Sequence, residues 1–228
     1  MKVVQTEGLA KRFGSRWAYA RIGLDIEKGE KFLLLGANGS GKTTLLRTLA
    51  TLISPSLGEM QLFGTSEPPS IHRHRIGYLS HQTGLYEDIS VHENLSIFGR
   101  FMGISLSEEE IEFHVNRVGL DQRSDPICSY SAGMRKRASI AVTLLKKPEL
   151  LLFDEPFAAL DPRGVEDICT LISSLDATVI IASHQVQRAG ELCDRALLLE
   201  QGQIRWQGDA SQGWTAYQRS VREMSLKD

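Results

Sequence analysis

Gly36-Ala37-Asn38-Gly39-Ser40-Gly41-Lys42-Thr43 is the stretch on which the fold turns. It fits G-x-x-x-x-G-K-[ST], follows the apolar run Phe32-Leu33-Leu34-Leu35, and precedes Leu45, Leu46, Leu49 and Leu52 at helical spacing. A buried strand, a glycine loop and a helix in that order make a phosphate site. Glycines let the backbone wrap tightly, so successive N–H groups face inward. The helix start adds positive potential. Gly36, Ala37, Asn38, Gly39, Ser40 and Gly41 would form the cradle, with Thr44 in the first helical turn. Lys42 would neutralise the outer phosphates, and the Thr43 hydroxyl would hold Mg²⁺.

Outward from this loop, three more short apolar runs read as strands buried on both faces: Leu150–Phe153, Val179–Ala182 and Ala196–Leu199. Helical patterns run from Thr43 to Leu52 and from Met134 to Leu145. Strands alternating with helices make an α/β fold with a parallel sheet. The stretch from Val91 to Ser129 reads instead as helix after helix, with a capping box at Ser107-Glu108-Glu109-Glu110, and suggests a second lobe. The first thirty residues and Glu59–Gly64 read as antiparallel edge strands.

Composition narrows the function classes. The 228 residues are 42% hydrophobic and 24% charged, enough for a packed core and against disorder. A net charge of −2 leaves no whole-chain footprint for nucleic acid or anionic lipid. Cys128, Cys169 and Cys193 are too few and too scattered for a disulfide framework or a zinc site, so reduced thiols in a cytosolic compartment are expected. The N-terminus shows no signal peptide, and no apolar window is long enough to span a bilayer. His72-Arg73-His74-Arg75 reads as a solvated loop rather than a metal or haem site.

Asp154-Glu155 closes the run Leu150–Phe153, at the strand end where open α/β sheets bind ligands. Asp154 would hold Mg²⁺ through water, and Glu155 would polarise an attacking water.

Four further segments follow in one order: Gln82 after Ile76-Gly77-Tyr78-Leu79-Ser80-His81; Tyr130-Ser131-Ala132-Gly133-Met134; Ala159-Leu160-Asp161; and Ser183-His184. With the phosphate loop they resemble the ATP-binding cassette of ABC transporters, over about residues 1–210. The resemblance implies an ATP hydrolase, using ATP and Mg²⁺, in one ATP-binding domain over residues 1–228. Its fold would be a P-loop NTPase core with a parallel sheet, an antiparallel β subdomain and an α-helical subdomain of about residues 88–146. A tail of about residues 210–228 would close as a helix.

Site roles carry over by the same resemblance. Phe13 is the adenine-stacking aromatic, with Trp17 and Tyr19 competing for that place. Gln82 reaches Mg²⁺ and the attacking water, and links the site to the helical lobe. Ser131 and Gly133 are signature residues that serve a partner's nucleotide, and Asp161 contributes across the interface. His184 contacts the γ-phosphate and orients Glu155. Ala132 and Met134 depart from the usual Leu-Ser-Gly-Gly-Gln, which predicts slower hydrolysis but not its loss, since Glu155 and His184 are intact.

The implied partners are a second copy of the chain and integral membrane permease subunits, with no nucleic acid. The implied location is peripheral, on the cytoplasmic face of a bacterial inner membrane. Leu85, Tyr86 and Ile89 are apolar enough to cradle a permease helix or to pack inside the helical lobe. His81–Asp88 followed by Glu93-Asn94-Leu95 looks like exporter cassettes, and is most similar to the haem-exporter ATPases of cytochrome c maturation. Two alternatives stand beside that reading. One is an export cassette for drugs, lipids, polysaccharide or ions. The other is a non-transport ABC ATPase acting on ribosomes or DNA, against which the short span from Thr43 to Ser131, without heptads, argues.

Overall fold

A computed structural model describes residues 1–65, 67–121, 124–184 and 186–225. The last three residues of the expected C-terminal tail lie outside them. Two sheets organise the chain. Strands β1 (Lys2–Phe13), β2 (Arg16–Glu27) and β4 (Leu57–Leu62) form a small antiparallel sheet in the order β2-β1-β4. The larger sheet has the order β5-β6-β7-β3-β8-β9. Its parallel members are β3 (Lys31–Leu35), β5 (Ile76–Leu79), β6 (Leu150–Asp154), β7 (Thr178–Ala182) and β8 (Arg195–Glu200). Strand β9 (Gln203–Asp209) adds an antiparallel edge.

Each central strand is buried on both faces, and its residues alternate between two cores. Leu33 and Leu35 of β3, Leu151 and Phe153 of β6, and Val179 and Ile181 of β7 enter one core. Phe32 and Leu34, Leu150 and Leu152, and Ile180 and Ala182 enter the other. Helix α1 (Lys42–Leu49) and the small sheet cover the second face. The first core takes in α4 (Ala132–Leu144), α5 (Pro162–Ser173), α6 (Val186–Leu192) and α7 (Ala210–Ser225), while α2 (Val91–Phe101) and α3 (Glu108–Arg117) pack on each other and on α4. Apolar residues on both sides explain why these strands read as unbroken runs rather than alternations.

The capping box expected at Ser107 is formed: Glu110 N–H donates to Ser107 Oγ at 3.2 Å, and Ser107 N–H donates to Glu110 Oε2 at 2.8 Å. A second box, Ser90 with Glu93, opens α2. Strand β5 is shorter than a recognisable run and carries Gly77, so it reads from sequence only as a lead to Gln82. The solvated-loop expectation for His72–Arg75 holds for Arg73 and His74, which are exposed, and is corrected for His72. The segment is a 3₁₀ turn, Pro69–Arg75, with His72 buried edge-on to Phe63. Arg73 there holds the Thr51 carbonyl at 2.8 Å, and Arg75 makes a bidentate pair with Glu149 at 2.6 and 2.9 Å. Arg73 and Arg75 thus spend their guanidinium groups on backbone and carboxylate, and His72 Nε2 lies 3.1 Å from Thr65 Oγ1. The three cysteines are free thiols. No helix among the described residues is long and apolar enough to cross a membrane.

Candidate nucleotide site

The phosphate loop leaves β3 at Gly36 and enters α1 at Gly41, the helix N-cap, where φ is +108°. A Cβ at Gly41 would strike the Ala18 carbonyl, and one at Gly36 would strike the Leu199 carbonyl. Only glycine lets the loop press this close to β2 and β8. No side chain caps α1, and its first intrahelical bond runs from Leu45 N–H to the Gly41 carbonyl at 2.9 Å. The N–H groups of Lys42, Thr43 and Thr44 are thus the unpaired donors of a helix start, suited to phosphate oxygens. The Lys42 ammonium is buried and donates to the carbonyls of Gly36 at 2.7 Å and Ala37 at 3.1 Å. Burial lowers its pKa, while the Glu155 and Asp154 carboxylates work against that.

Strand β6 delivers the acidic pair to the loop. Asp154, the last residue of the strand, is paired with Ala182 of β7 and is only 2% exposed. Desolvation raises its carboxyl pKa, the Thr43 hydroxyl pulls it down, and Glu155 pushes it up again. Glu155 follows with φ +52°, a left-handed conformation that a non-glycine residue holds at a cost. Its N–H donates to the Ala182 carbonyl at 2.8 Å. Its Oε2 accepts from Ser183 Oγ at 3.2 Å and lies 2.9 Å from His184 Nδ1. An ionised carboxylate only accepts, so Nδ1 carries the proton in that pair. The ring's Nε2 is then left for a group in the cavity.

These residues line one cavity of about 640 Å³. It holds Asn38, Gly39, Gly41, Lys42, Thr43, Thr44, Asp154, Glu155 and His184, with Phe13 and Trp17 from the β1–β2 hairpin. Both rings are exposed, Phe13 at 55% and Trp17 at 44%. Tyr19 is corrected as a candidate for the base: it is fully buried, and its hydroxyl lies 2.6 Å from Thr48 Oγ1. Arg16, His81 and Ala158 also line the cavity and were not singled out by sequence. His81 is adjacent to Gln82 and looks there like any surface histidine.

Gln82 is not brought into this cavity. It is exposed and lines a separate cleft of about 350 Å³ with Gly84, Phe98, Met102 and Ser139. Ser131, Gly133 and Asp161 share a third pocket, of about 280 Å³, with Met134, Arg137 and Ala159. Ser131 Oγ accepts from Met134 N–H at 3.2 Å and so caps α4. Asp161 Oδ1 accepts from Gly164 N–H at 3.0 Å and caps α5.

The donor set suits a hard cation that keeps part of its shell elsewhere. Asp154 Oδ2 is buried with no hydrogen-bond partner among the described residues, beside the Thr43 hydroxyl. No group of three or more His, Cys, Asp or Glu side chains gathers among the described residues to hold a metal ion by itself. One carboxylate and one hydroxyl, completed by phosphate oxygens and water, is the arrangement Mg²⁺ takes.

A family profile described as ABC transporter matches residues 19–158. The chain is 33% identical over 209 residues to a bacitracin transport ATP-binding protein of Enterococcus faecalis, covering 89% of this chain and 68% of that protein. It is 34% identical to a Nod factor export ATP-binding protein of Ralstonia nicotianae, over 90% of this chain and 67% of that one. It is 32% identical to a daunorubicin/doxorubicin resistance ATP-binding protein of Streptomyces peucetius, over 100% of this chain and 71% of that one. Among solved structures, a dimeric ATP-binding cassette in a post-hydrolysis state with ADP and Pi superimposes with a TM-score of 0.82 at 24% identity, over 91% of this chain and 98% of that one, which speaks for the fold. A cassette of Clostridium perfringens, part of an ABC transporter complex, gives a TM-score of 0.79 at 28% identity, over 99% of this chain and 95% of that one.

Proposed function

The chain belongs to the ABC transporter family as one of its ATP-hydrolysing, ATP-binding proteins, and on that premise we propose that it is the motor subunit of an export complex that works as a homodimer. One observation carries the reading: the phosphate loop, Asp154, Glu155 and His184 share a cavity, whereas Ser131, Gly133 and Asp161 line another pocket of the same chain. Each copy thus holds two unlike halves of a nucleotide site. Pairing head to tail sets the phosphate loop of one copy against Ser131 and Gly133 of the other.

In that dimer the loop N–H groups and Lys42 bind the β- and γ-phosphates of ATP. Phe13 stacks on the base, with Trp17 beside it. Thr43 and Asp154 would hold Mg²⁺, directly or through water, with the Gln82 side chain turning in to join them. Held there, Mg²⁺ would offset the negative charge of the phosphates. Glu155 takes a proton from water as the water oxygen bonds to the γ-phosphorus and the bond to the bridging oxygen breaks. His184 keeps Glu155 oriented and offers Nε2 to the γ-phosphate. The products are ADP and phosphate, and losing the γ-phosphate contacts loosens the dimer.

The working unit is one ATP-binding domain over residues 1–228, in which residues 88–146 form the lobe that meets the membrane partner. Leu85 is buried against that lobe, while Tyr86 is exposed and lies tilted against Phe98, ring centroids 5.7 Å apart, with the exposed Phe101 edge-on to Phe98 next in the row. This aromatic row beside the Gln82 cleft suits a helix of an integral permease, which would keep the chain peripheral at the cytoplasmic face of a bacterial inner membrane. The names of the relatives, a bacitracin transport, a Nod factor export and a daunorubicin/doxorubicin resistance protein, favour export of a drug or similar cargo. Haem export for cytochrome c assembly is the second reading, resting on residues 81–95. Asn94 in that segment spends its side chain on Tyr86 N–H at 2.8 Å and the Tyr86 and Ser90 carbonyls at 3.0 and 2.9 Å. That job shapes the docking face and says little about cargo.

Glu155→Gln tests the reading. Hydrolysis should fall at least about a hundredfold, while ATP still binds and converts the chain to a dimer by light scattering. Full turnover in the variant, or a monomer at saturating ATP and magnesium, overturns it.

A further inference from the structure

Lys136 is a buried cation outside the residues assigned above. It is 5% exposed, on the second turn of α4, and its three ammonium donors find two acceptors among the described residues. These are the carbonyls of Ser80 at 3.3 Å and His81 at 3.5 Å. One turn further along α4, Ser139 Oγ donates to the Thr83 carbonyl at 2.9 Å. Residues at i and i+3 of a helix lie on one face. That face of α4 therefore grips the backbone on both sides of Gln82, with the Ser80 hydroxyl also bonded to the Gln82 carbonyl. The same helix begins at Ser131, whose side chain is its cap.

We propose that Lys136 is a positioning residue: with Ser139 it ties the backbone carrying Gln82 to the helix carrying Ser131, so that engagement of Ser131 with a partner's nucleotide sets where Gln82 stands. This inference rests on the motor reading above and names the part that carries its stroke. A buried ammonium is costly unless something holds it. The long carbonyl contacts are weak alone, and burial lowers the Lys136 pKa while the Asp154 and Glu155 carboxylates keep it up. The charge thus sits in the field of the catalytic acids while its bonds go to the loop. A leucine or methionine would fill the space as well, and a packing role would have no use for the charge. Because the tether holds the carbonyls before and after Gln82, the glutamine side chain stays free to turn about a fixed pivot.

The test is steady-state hydrolysis and nucleotide affinity for Lys136→Met, Lys136→Arg, Ser139→Ala, Gln82→Ala, and Lys136→Met combined with Gln82→Ala. Lys136→Met should lower kcat about tenfold and leave KM and ATP affinity within about twofold. Lys136→Arg should recover most of the loss. Ser139→Ala, which keeps the buried charge, should lower kcat about threefold. The combined variant should be no slower than Gln82→Ala alone, the signature of two residues acting as one unit. Hydrogen exchange of the amides at 80–85 should rise in Lys136→Met with Ser131 unchanged. Wild-type kcat in Lys136→Met, losses that multiply in the combined variant, or melting temperature and affinity falling in step with kcat would each overturn the role. Glu155→Gln run alongside separates the two levels: hydrolysis arrested there but normal in Lys136→Met removes Lys136 and leaves the motor reading standing.

Discussion

Tyr19 stands two residues from the exposed Trp17, yet it is buried against α1, where its hydroxyl meets Thr48. A phenol in that setting resists ionising: burial pushes its pKa from 10.0 up to about 12, against the Thr48 bond, which lowers it. The unfolded chain ionises first, near pH 10, so the stability that the neutral phenol supplies is whole below pH 10 and drains away as pH climbs toward about 12. Tyr19→Phe should cost about 1 kcal/mol at neutral pH. Its melting temperature should fall less steeply than the wild type's between pH 10 and about 12, by differential scanning calorimetry. Equal slopes would mean that Tyr19 is not the titrating group. Sequence alone cannot separate Phe13, Trp17 and Tyr19, because strand residues a few positions apart differ only in the face they present, and the hairpin shifts register three times between Thr6 and Arg12.

Among the elements, α2 illustrates what local sequence does and does not reveal. Its cap is reciprocal: Ser90 Oγ accepts from Glu93 N–H at 3.2 Å, and Ser90 N–H donates to Glu93 Oε2 at 2.8 Å. Those bonds, the backbone one first, hold the Glu93 carboxyl below the usual range. Ser90→Ala should destabilise the chain by about 1 kcal/mol in urea titration, with unchanged hydrolysis by the purified chain, since α2 lines no part of the phosphate cavity. A change in hydrolysis would show that α2, and not only α4, reaches the site. The phosphate loop, the acidic pair and helices α1 to α4 were legible because each has a local cause: glycines, a strand end, a cap or an apolar stripe; α5 and α6 were not read, although Asp161-Pro162 is a local start signal for α5. Strand β5 was not, because an edge strand of four residues is made by its neighbour β6 rather than by its own pattern. Lys136 was not either. A charged residue in a helix next to Arg135 and Arg137 reads as solvated, and only the tertiary fold turns it inward.

At the scale of the whole molecule, the proposed dimer makes a prediction that no single variant can. Lys42→Ala should disable a copy's own phosphate loop, and Ser131→Arg its service to the partner. Each should be nearly inactive alone. Mixed in equal amounts, they should form heterodimers with one intact composite site, recovering roughly a quarter of wild-type hydrolysis; no recovery would mean that the two pockets do not meet across copies. The large sheet carries a further consequence. Its central strands, β3, β6, β7 and β8, are greasy on both sides, so a chain that zips up one residue out of step there trades one oily layer for the other and loses little burial. The penalty falls at the strand tips, where Asp154 and Glu155 would arrive at the wrong depth. Mis-zipped molecules would therefore look healthy by compactness and circular dichroism, yet grip no triphosphate. Parallel pairing between distant segments is slow to form and slow to correct. Magnesium and nucleotide present while the chain refolds would select the correctly indexed population by mass action, raising the competent fraction without changing its shape.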